Sequence, residues 1–321
     1  MILILNTNEK KIVFSIIVPV ILFVLIVNPT ISMTAQSKEP FIDFTSYKIL
    51  KIKPSETDPS VRNWDSVHVV YYDRSIKNNK ILLWLTGTNG STSHIPLNFF
   101  KTALAQGYRI IALSFISTPG VSQICVGNKL NEDINCAAEF RRKRIYGDID
   151  FLSIPDQYED AIVPRLVKLL QYLLKNDKEG LWSQYLYHST NKPVWNKIAI
   201  AGQSQGGGMA EFIAQHESVA RILSFSGGWD YSNSKMKKIA GWYSQKLITL
   251  RENVFATYHV QESAAVQLAE INKTLDIPTD NVFALSQPLL KQKLSSNPYH
   301  TEGIQNPIYK PIWIKMLGSG L

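Results

Sequence analysis

A chain of 321 residues is long enough for one large domain or two small ones, and 45% apolar with 19% charged residues is typical of a folded protein. The formal charge of +8 would suit nucleic acid, but no nucleic-acid-binding motif or basic–aromatic stripe accompanies it. The densest basic run, Arg141-Arg142-Lys143-Arg144, is therefore interpreted as a solvated helix face or an ion-pair cluster, while attraction to an anionic surface or substrate stays open.

The N-terminus has the layout of a targeting segment. Lys10 and Lys11 precede an apolar stretch over 12–27, which is shorter than the roughly 20 residues that span a bilayer comfortably. Small residues follow, so residues 1–35 are predicted to be a secretory signal peptide. An uncleaved membrane anchor, holding the chain on a membrane through residues 12–27, is the alternative. In both cases we expect the bulk of the chain to be exported, as a periplasmic or secreted protein or outside the cytoplasm on its anchor.

Residues 36–64 are polar and contain several prolines, and we expect an exposed lead-in. From residue 65 onward apolar strands alternate with amphipathic helices, which predicts one α/β domain over 65–321 with a mainly parallel sheet and helices on both faces. The predicted strands cover residues 68–72, 81–85, 109–115, 198–201, 221–226, 254–258 and 282–285. The predicted helices cover residues 97–105, 158–174, the stretch directly after the turn at 202–206, 264–271 and 309–317.

The two cysteines, Cys125 and Cys136, lie eleven residues apart in a polar, loop-like stretch over 122–137. Free thiols would be reactive outside the cell, whereas a disulfide closing a loop of this size adds about 3 kcal/mol of stability. Two cysteines without a nearby histidine do not complete a zinc site, and Asp148 with Asp150 lacks further ligands at suitable spacing. We therefore predict a disulfide and no metal.

Residues 197–208 read Lys-Ile-Ala-Ile-Ala-Gly-Gln-Ser-Gln-Gly-Gly-Gly and place a serine on a sharp turn between a strand and a helix. Glycines two residues before and after Ser204 leave room for so tight a turn, and the helix N-terminus favours developing negative charge. The pattern predicts that Ser204 is a nucleophile. A glycine-rich turn that merely contains a serine is the alternative.

A serine nucleophile needs a base, and on a turn of this kind the partners follow in the order acid, then histidine. Only His216, His259 and His300 follow Ser204. His216 is predicted to lie on the surface of the helix behind the turn, and His259 ends a strand. His300 lies in a loop between the last strand and the last helix and is the predicted base, with an exposed loop histidine as the alternative.

Two carboxylates are candidates for the acid. Glu262 follows the strand that ends near His259, and Asp230 follows the preceding strand. Both can orient an imidazole, so the choice stays open with Glu262 preferred. For each, the alternative is a charge at a helix N-terminus, which stabilises by about 0.3–1 kcal/mol without a catalytic role.

An oxyanion hole needs two backbone N–H groups, each of which lowers the activation barrier by about 3 kcal/mol. One is predicted to come from Gln205, directly after the nucleophile. The other is expected from the loop Thr-Gly-Thr-Asn-Gly-Ser over 86–91, where Gly87 supplies a bend before Thr88. This loop lacks the Gly-Lys-Ser/Thr ending of phosphate-binding loops and the glycine pattern of dinucleotide-binding loops, so phosphate binding is not predicted.

With these motifs in place, the chain resembles the α/β-hydrolase superfamily over residues 65–318, and more closely a poorly characterised group of exported bacterial serine hydrolases. The resemblance implies the α/β-hydrolase fold, a triad of Ser204, Glu262 and His300, and hydrolysis of an ester, thioester or amide without a cofactor. Two positions depart from the pattern of this group. Glu262 stands where Asp is more frequent, and Gln203 stands where His is frequent. The matching stretches are 85–88, 107–111, the cysteine pair, 202–206 and 225–227.

We therefore expect an exported serine hydrolase, a carboxylesterase or lipase-like enzyme that forms an acyl-enzyme with a small-molecule or lipid-like ester. An acyltransferase with the same triad and a non-catalytic binding protein on the hydrolase fold are the alternatives. Trp229 and Tyr299 lie near the predicted site and suggest that apolar groups are accommodated.

Overall fold

A computed structural model describes residues 47–77, 79–232, 238–292 and 294–321. The predicted signal or anchor segment over 1–35 lies outside the described residues. The described residues fall in one compact unit, and none of their helices is long and apolar enough to cross a membrane.

A single eight-stranded sheet forms the centre of the described chain. Its strands are β1 (Lys48–Ile52), β2 (His68–Tyr72), β3 (Ile81–Leu85), β4 (Arg109–Ala112), β5 (Ile198–Gln203), β6 (Arg221–Phe225), β7 (Val254–His259) and β8 (Val282–Leu285). The strand order is β1-β2-β4-β3-β5-β6-β7-β8, with β2 antiparallel to both of its neighbours and all other pairs parallel. Every predicted strand is present, and the predicted mainly parallel sheet is confirmed.

Helices cover both faces of this sheet. They are α1 (Pro54–Thr57), α2 (Leu97–Ala105), α3 (Val121–Ile124), α4 (Asn128–Glu132), α5 (Cys136–Tyr146), α6 (Ile162–Asn176), α7 (Gln205–His216), α8 (Ala265–Thr274), α9 (Glu302–Gln305) and α10 (Lys310–Leu317). Successive side chains of a strand point to opposite faces. Trp84 of β3 accordingly joins the apolar cluster with α2 and α10, whereas Leu83 joins the cluster with α5, α6 and α7.

Two regions contain structure that the sequence patterns did not predict. The predicted lead-in over 36–64 includes the edge strand β1 and the short helix α1. The stretch over 122–137, predicted to be loop-like, contains most of α3, all of α4 and the start of α5. These elements have four or five residues, or an even mixture of polar and apolar ones, so no periodicity marks them.

The disulfide between Cys125 and Cys136 is present, as predicted, with the Cα atoms 5.7 Å apart. Both residues are buried. The bond joins the end of α3 to the first residue of α5. It therefore fixes the start of the helix that carries the basic run.

The basic run on α5 divides between two environments. Arg141 and Arg144 are buried and form ion pairs with Asp230 and Asp156, while Arg142 is exposed. A solvated face is therefore the wrong interpretation for Arg141 and Arg144, and the ion-pair alternative is correct. Two arginines three residues apart share one side of a helix, which explains why both point inward.

Candidate active site

Ser204 occupies the turn between β5 and α7 with φ 56° and ψ −119°. A positive φ is uncommon for a residue with a side chain and marks backbone strain. The Ser204 N–H donates to the Phe225 carbonyl oxygen at 2.8 Å, which fixes the turn to β6. A Cβ on Gly202 would overlap the backbone of Gly206, and one on Gly206 would overlap the Leu85 carbonyl. The two glycines thus have the role that the sequence predicts.

His300 and Glu262 form a direct pair, with Nδ1 2.8 Å from Oε2. The Glu262 side chain is fully buried, whereas the His300 side chain is 22% exposed. The other carboxylate oxygen, Oε1, accepts from Ser226 Oγ at 2.6 Å and from the His259 N–H at 2.8 Å. An ionised carboxylate only accepts, so this geometry suits an imidazole that donates from Nδ1 and leaves Nε2 as an acceptor.

The ends of neighbouring elements place these side chains. Glu262 lies between β7 and α8, and His300 lies in the 3₁₀ turn Pro298–Thr301 just before α9. Gln203 Nε2 donates to the His300 carbonyl at 3.4 Å, so this turn contacts the residue before Ser204. The Trp229 ring lies edge-on to the imidazole at a centroid distance of 4.9 Å. The structure therefore brings the histidine, the glutamate and the strained turn together.

Thr88 and Gln205, the predicted oxyanion-hole residues, both lie beside Gly120. An ideal Cβ on Gly120 would approach Gln205 Oε1 at 3.2 Å and overlap the Thr88 side chain. Gln205 is the first residue of α7, where a backbone N–H has no acceptor within the helix. Its side chain donates to the Ser117 carbonyl at 2.7 Å and accepts from the Val121 N–H at 2.9 Å. The Gln205 side chain thus holds the loop over 117–121, whose Gly120 packs on Thr88. Nothing in the sequence indicated this role.

The strand order and the strained serine directly after a central parallel strand decide the fold family. The chain has the α/β-hydrolase fold. Its candidate site lies at the carboxyl ends of β5, β6 and β7, where ligands bind in open α/β sheets.

No protein-family model and no curated protein matches the chain. Solved structures that resemble it include dienelactone hydrolase from Anabaena variabilis, with 12% identity over 84% of this chain and 98% of that chain and a TM-score of 0.44. An esterase from Pyrobaculum calidifontis has 13% identity over 84% of this chain and 85% of that chain, with a TM-score of 0.45. S-formylglutathione hydrolase from Staphylococcus aureus has 12% identity, coverage of 85% and 98%, and a TM-score of 0.46. At these scores, none of them bears on the reaction of this chain.

Asp230, the alternative acid, is bound by Arg141 and Trp242 in the described chain and not by His300. Arg141 Nε and Nη2 donate to its two oxygens at 2.5 and 2.6 Å, and Trp242 Nε1 donates at 2.8 Å. The side chains of this ion pair are fully buried. Burial alone would lower the pKa of Arg141, but the charge of Asp230 outweighs it and raises that pKa above its ordinary value. The carboxylate is thus held by a permanent cation.

The two other histidines after Ser204 have packing roles. His216 is half-buried rather than on the open surface, and it stacks on Phe212 at 4.5 Å with Nδ1 2.9 Å from the Phe212 carbonyl. His259 is buried, stacks on Tyr299 at 4.2 Å, and has Nε2 2.8 Å from the Gln287 carbonyl. Both rings are fixed by neighbours of their own.

A third buried carboxylate, Glu211 on α7, lies behind the site and was not singled out by the sequence. It accepts from Ser224 Oγ at 2.5 Å, and burial raises its pKa from 4.5 to about 7. Its position on the inner face of a helix beside glycines could have flagged it. The hydrogen bond from Ser226 Oγ to Glu262 also has no signal in the sequence, because a serine at the end of a strand is common.

No group of three or more His, Cys, Asp or Glu side chains in the described chain is arranged to hold a metal ion. Asp148 is instead bound by Arg142, whose Nη2 lies 2.8 Å from Oδ2.

Proposed function

We propose that the protein is a serine hydrolase that cleaves a carboxylic ester, or a related acyl bond, with Ser204, His300 and Glu262 as its triad. The observation that supports this most is the 2.8 Å contact between His300 Nδ1 and the buried Glu262 carboxylate. His300 lies in a turn whose carbonyl accepts a hydrogen bond from Gln203, the residue before the strained Ser204. A histidine oriented by a carboxylate is the group that a serine hydroxyl needs to become a nucleophile.

In this mechanism Ser204 Oγ attacks the acyl carbonyl and His300 Nε2 takes its proton. Glu262 stays ionised and stabilises the imidazolium that forms. The N–H groups of Gln205 and Thr88 stabilise the negative oxygen of the tetrahedral intermediate. His300 then returns the proton to the leaving alcohol, and water releases the acyl group from Ser204 by the same steps.

The glutamate suits the acid role because its two oxygens have separate partners. Oε1 is held by Ser226 Oγ and the His259 N–H, and Oε2 faces His300. Hydrogen bonds to one oxygen restrict the longer side chain of Glu262, so the other oxygen is fixed against the imidazole. The replacement of aspartate by glutamate is thus compatible with a triad.

We also propose that the hydrolase is exported, with residues 1–35 as its signal peptide or anchor. The buried disulfide between Cys125 and Cys136 supports this, because disulfides form and persist in oxidising compartments. The expected substrate is a small-molecule ester.

The test is hydrolysis of p-nitrophenyl acetate by the purified protein, with Ser204→Ala and His300→Ala as variants. Each variant should lose kcat/KM by about 10³-fold or more, because the triad acts as a unit. His216→Gln is the matched histidine control and should retain activity. Release of acetate faster than transfer to added methanol supports a hydrolase, and preferred transfer would indicate an acyltransferase. A folded wild type without activity on any ester would favour a binding protein.

A further inference from the structure

A cavity of about 620 Å³ lies beside the proposed nucleophile, within the usual size range of small-molecule sites. Gly87, Gln203 and Thr301 line it, and each is the chain neighbour of a proposed oxyanion or triad residue. An ideal Cβ on Gly87 would lie 3.2 Å from Ser204 Cβ. One wall of the cavity therefore adjoins the turn that carries Ser204.

The lining of the cavity combines an apolar surface with uncharged polar groups. Its described lining residues include no Asp, Glu, Lys or Arg, and His94 is the one titratable side chain among them. The other polar groups are hydroxyls and amides, such as Asn89, Ser91 and Gln203. The apolar lining residues are Trp84, Ile95, Pro96, Leu97 and Ile304.

Two hydrogen bonds of the lining join neutral groups to each other. Thr118 Oγ1 donates to Asn89 Oδ1 at 2.6 Å, and Thr301 Oγ1 donates to Gln305 Oε1 at 3.2 Å. Groups of this kind can bind hydroxyl, ether or carbonyl oxygens of a ligand. They cannot neutralise a carboxylate, whose transfer from water into such a site without a cation is costly.

The charge of the whole chain would favour the opposite kind of ligand. A formal charge of +8 attracts anions to the surface and raises their rate of encounter. Selection against anions in this cavity would therefore come from its own lining and not from the general field of the protein.

We propose, on the basis of the function proposed above, that this cavity binds an uncharged, partly apolar and oxygen-bearing part of the ester and discriminates against a carboxylate at that position. The enzyme is then specific for neutral esters. A long unbranched fatty chain would satisfy the apolar residues but leave the amides and hydroxyls without a polar partner from the ligand.

The experiment measures kcat/KM for two pairs of esters matched in size. The acyl pair is the p-nitrophenyl methyl diester of terephthalic acid and its mono-p-nitrophenyl ester, whose para carboxylate cannot reach its own ester carbonyl. The alcohol pair is 4-(methoxycarbonyl)phenyl acetate and 4-carboxyphenyl acetate. Each rate is divided by the spontaneous hydrolysis rate of the same ester in the same buffer. We expect the neutral member of at least one pair to be preferred by about tenfold or more.

Leu97→Arg introduces a cation into the lining at a residue that is 46% exposed and outside the proposed triad. It should reduce the preference in that same pair by about fivefold or more, because the new guanidinium can pair with the carboxylate. Leu181→Arg is the matched control, since Leu181 is 44% exposed and is not a lining residue of this cavity. It should change the ratio by less than about twofold.

Fluorophosphonate labelling of Ser204 separates the possible failures. If Ser204 is labelled but both pairs react within about threefold, or if both arginine variants change the ratio equally, the cavity proposal is wrong and the hydrolase proposal stands. If the folded protein neither hydrolyses any of the four esters nor becomes labelled, the hydrolase proposal fails and the cavity proposal fails with it.

Discussion

Glu262 and Asp230 are two buried carboxylates that follow neighbouring parallel strands, yet they have different partners. Glu262 follows β7 and contacts His300, whose side chain is 22% exposed. Asp230 follows β6 and is clamped by the fully buried Arg141. The positions in the fold are similar, and the partner residue makes the difference.

The partner decides what each carboxylate can do. A neutral imidazole can take a proton near neutral pH and return it, and the carboxylate beside it stabilises the charged intermediate. A guanidinium keeps its proton, so the Arg141–Asp230 pair can only hold structure. The proposed function therefore gives a chemical role to Glu262 and His300 and a structural role to Arg141 and Asp230.

The largest expected effect comes from Glu262→Gln. The amide keeps the size of the side chain but cannot stabilise the imidazolium, so kcat/KM should fall by about 10³- to 10⁴-fold. Initial rates with p-nitrophenyl acetate measure the loss, and urea unfolding shows that the variant is folded. A loss below about tenfold would contradict the role of Glu262.

Arg141→Met should act on stability instead. It leaves Asp230 buried without a cation, and the free energy of unfolding should fall by about 3–5 kcal/mol. The double variant Arg141→Met with Asp230→Leu removes both charges and should recover much of this loss. Urea unfolding of the three proteins measures both effects. If the single variant keeps its stability but loses all activity, the division between the two pairs is wrong.

Glu211→Gln tests a third buried carboxyl group, which accepts a hydrogen bond from Ser224 Oγ. Burial raises the pKa of Glu211 from 4.5 to about 7, so between these values the folded chain holds a proton that the unfolded chain has lost. The free energy of unfolding from this group therefore decreases as pH rises from about 4.5 to about 7.

The Gln variant should gain on the order of 1–3 kcal/mol relative to wild type near pH 8, and little near pH 5. Urea unfolding at both pH values measures the difference. Glu270→Gln, at an exposed position, is the control and should show no such gain. An equal effect of Glu211→Gln at both pH values would contradict the raised pKa.

Ser226→Ala should reduce kcat/KM much less than Glu262→Gln does. It removes one hydrogen bond to the Glu262 carboxylate, so kcat/KM should fall by roughly tenfold while Glu262 keeps the His259 N–H. Ser224→Ala is the matched control, because Ser224 binds Glu211 and not Glu262. Steady-state kinetics of the two variants should differ, and equal losses would place Ser226 outside the site.

The strained turn at Ser204 and the pairing of Cys125 with Cys136 could be predicted because local sequence determines them. The turn at Ser204 needs glycines at fixed spacing, and two cysteines have one possible pairing. The sheet could be predicted from its apolar strands. The edge strand β1 could not, because lysines occupy two of its five positions and such edges carry weak patterns.

The choice between Glu262 and Asp230 could not be made from sequence because it depends on Arg141, which lies far away along the chain. The basic run gave no indication that two of its arginines point into the protein. The cavity beside Gly87 was equally hidden, since loops after β3 and residues near His300 meet there only in three dimensions. The features that the sequence did not predict depend on residues that are far apart along the chain and meet only in the fold.

The most direct test of the triad is labelling of the purified protein with a fluorophosphonate, followed by location of the adduct by mass spectrometry. We predict an adduct on Ser204 in wild type, greatly slowed labelling in His300→Ala and Glu262→Gln, and near wild-type labelling of the folded fraction of Asp230→Asn. An adduct at another residue, or no adduct on a protein shown to be folded, would contradict the assignment of Ser204, His300 and Glu262 as a catalytic unit.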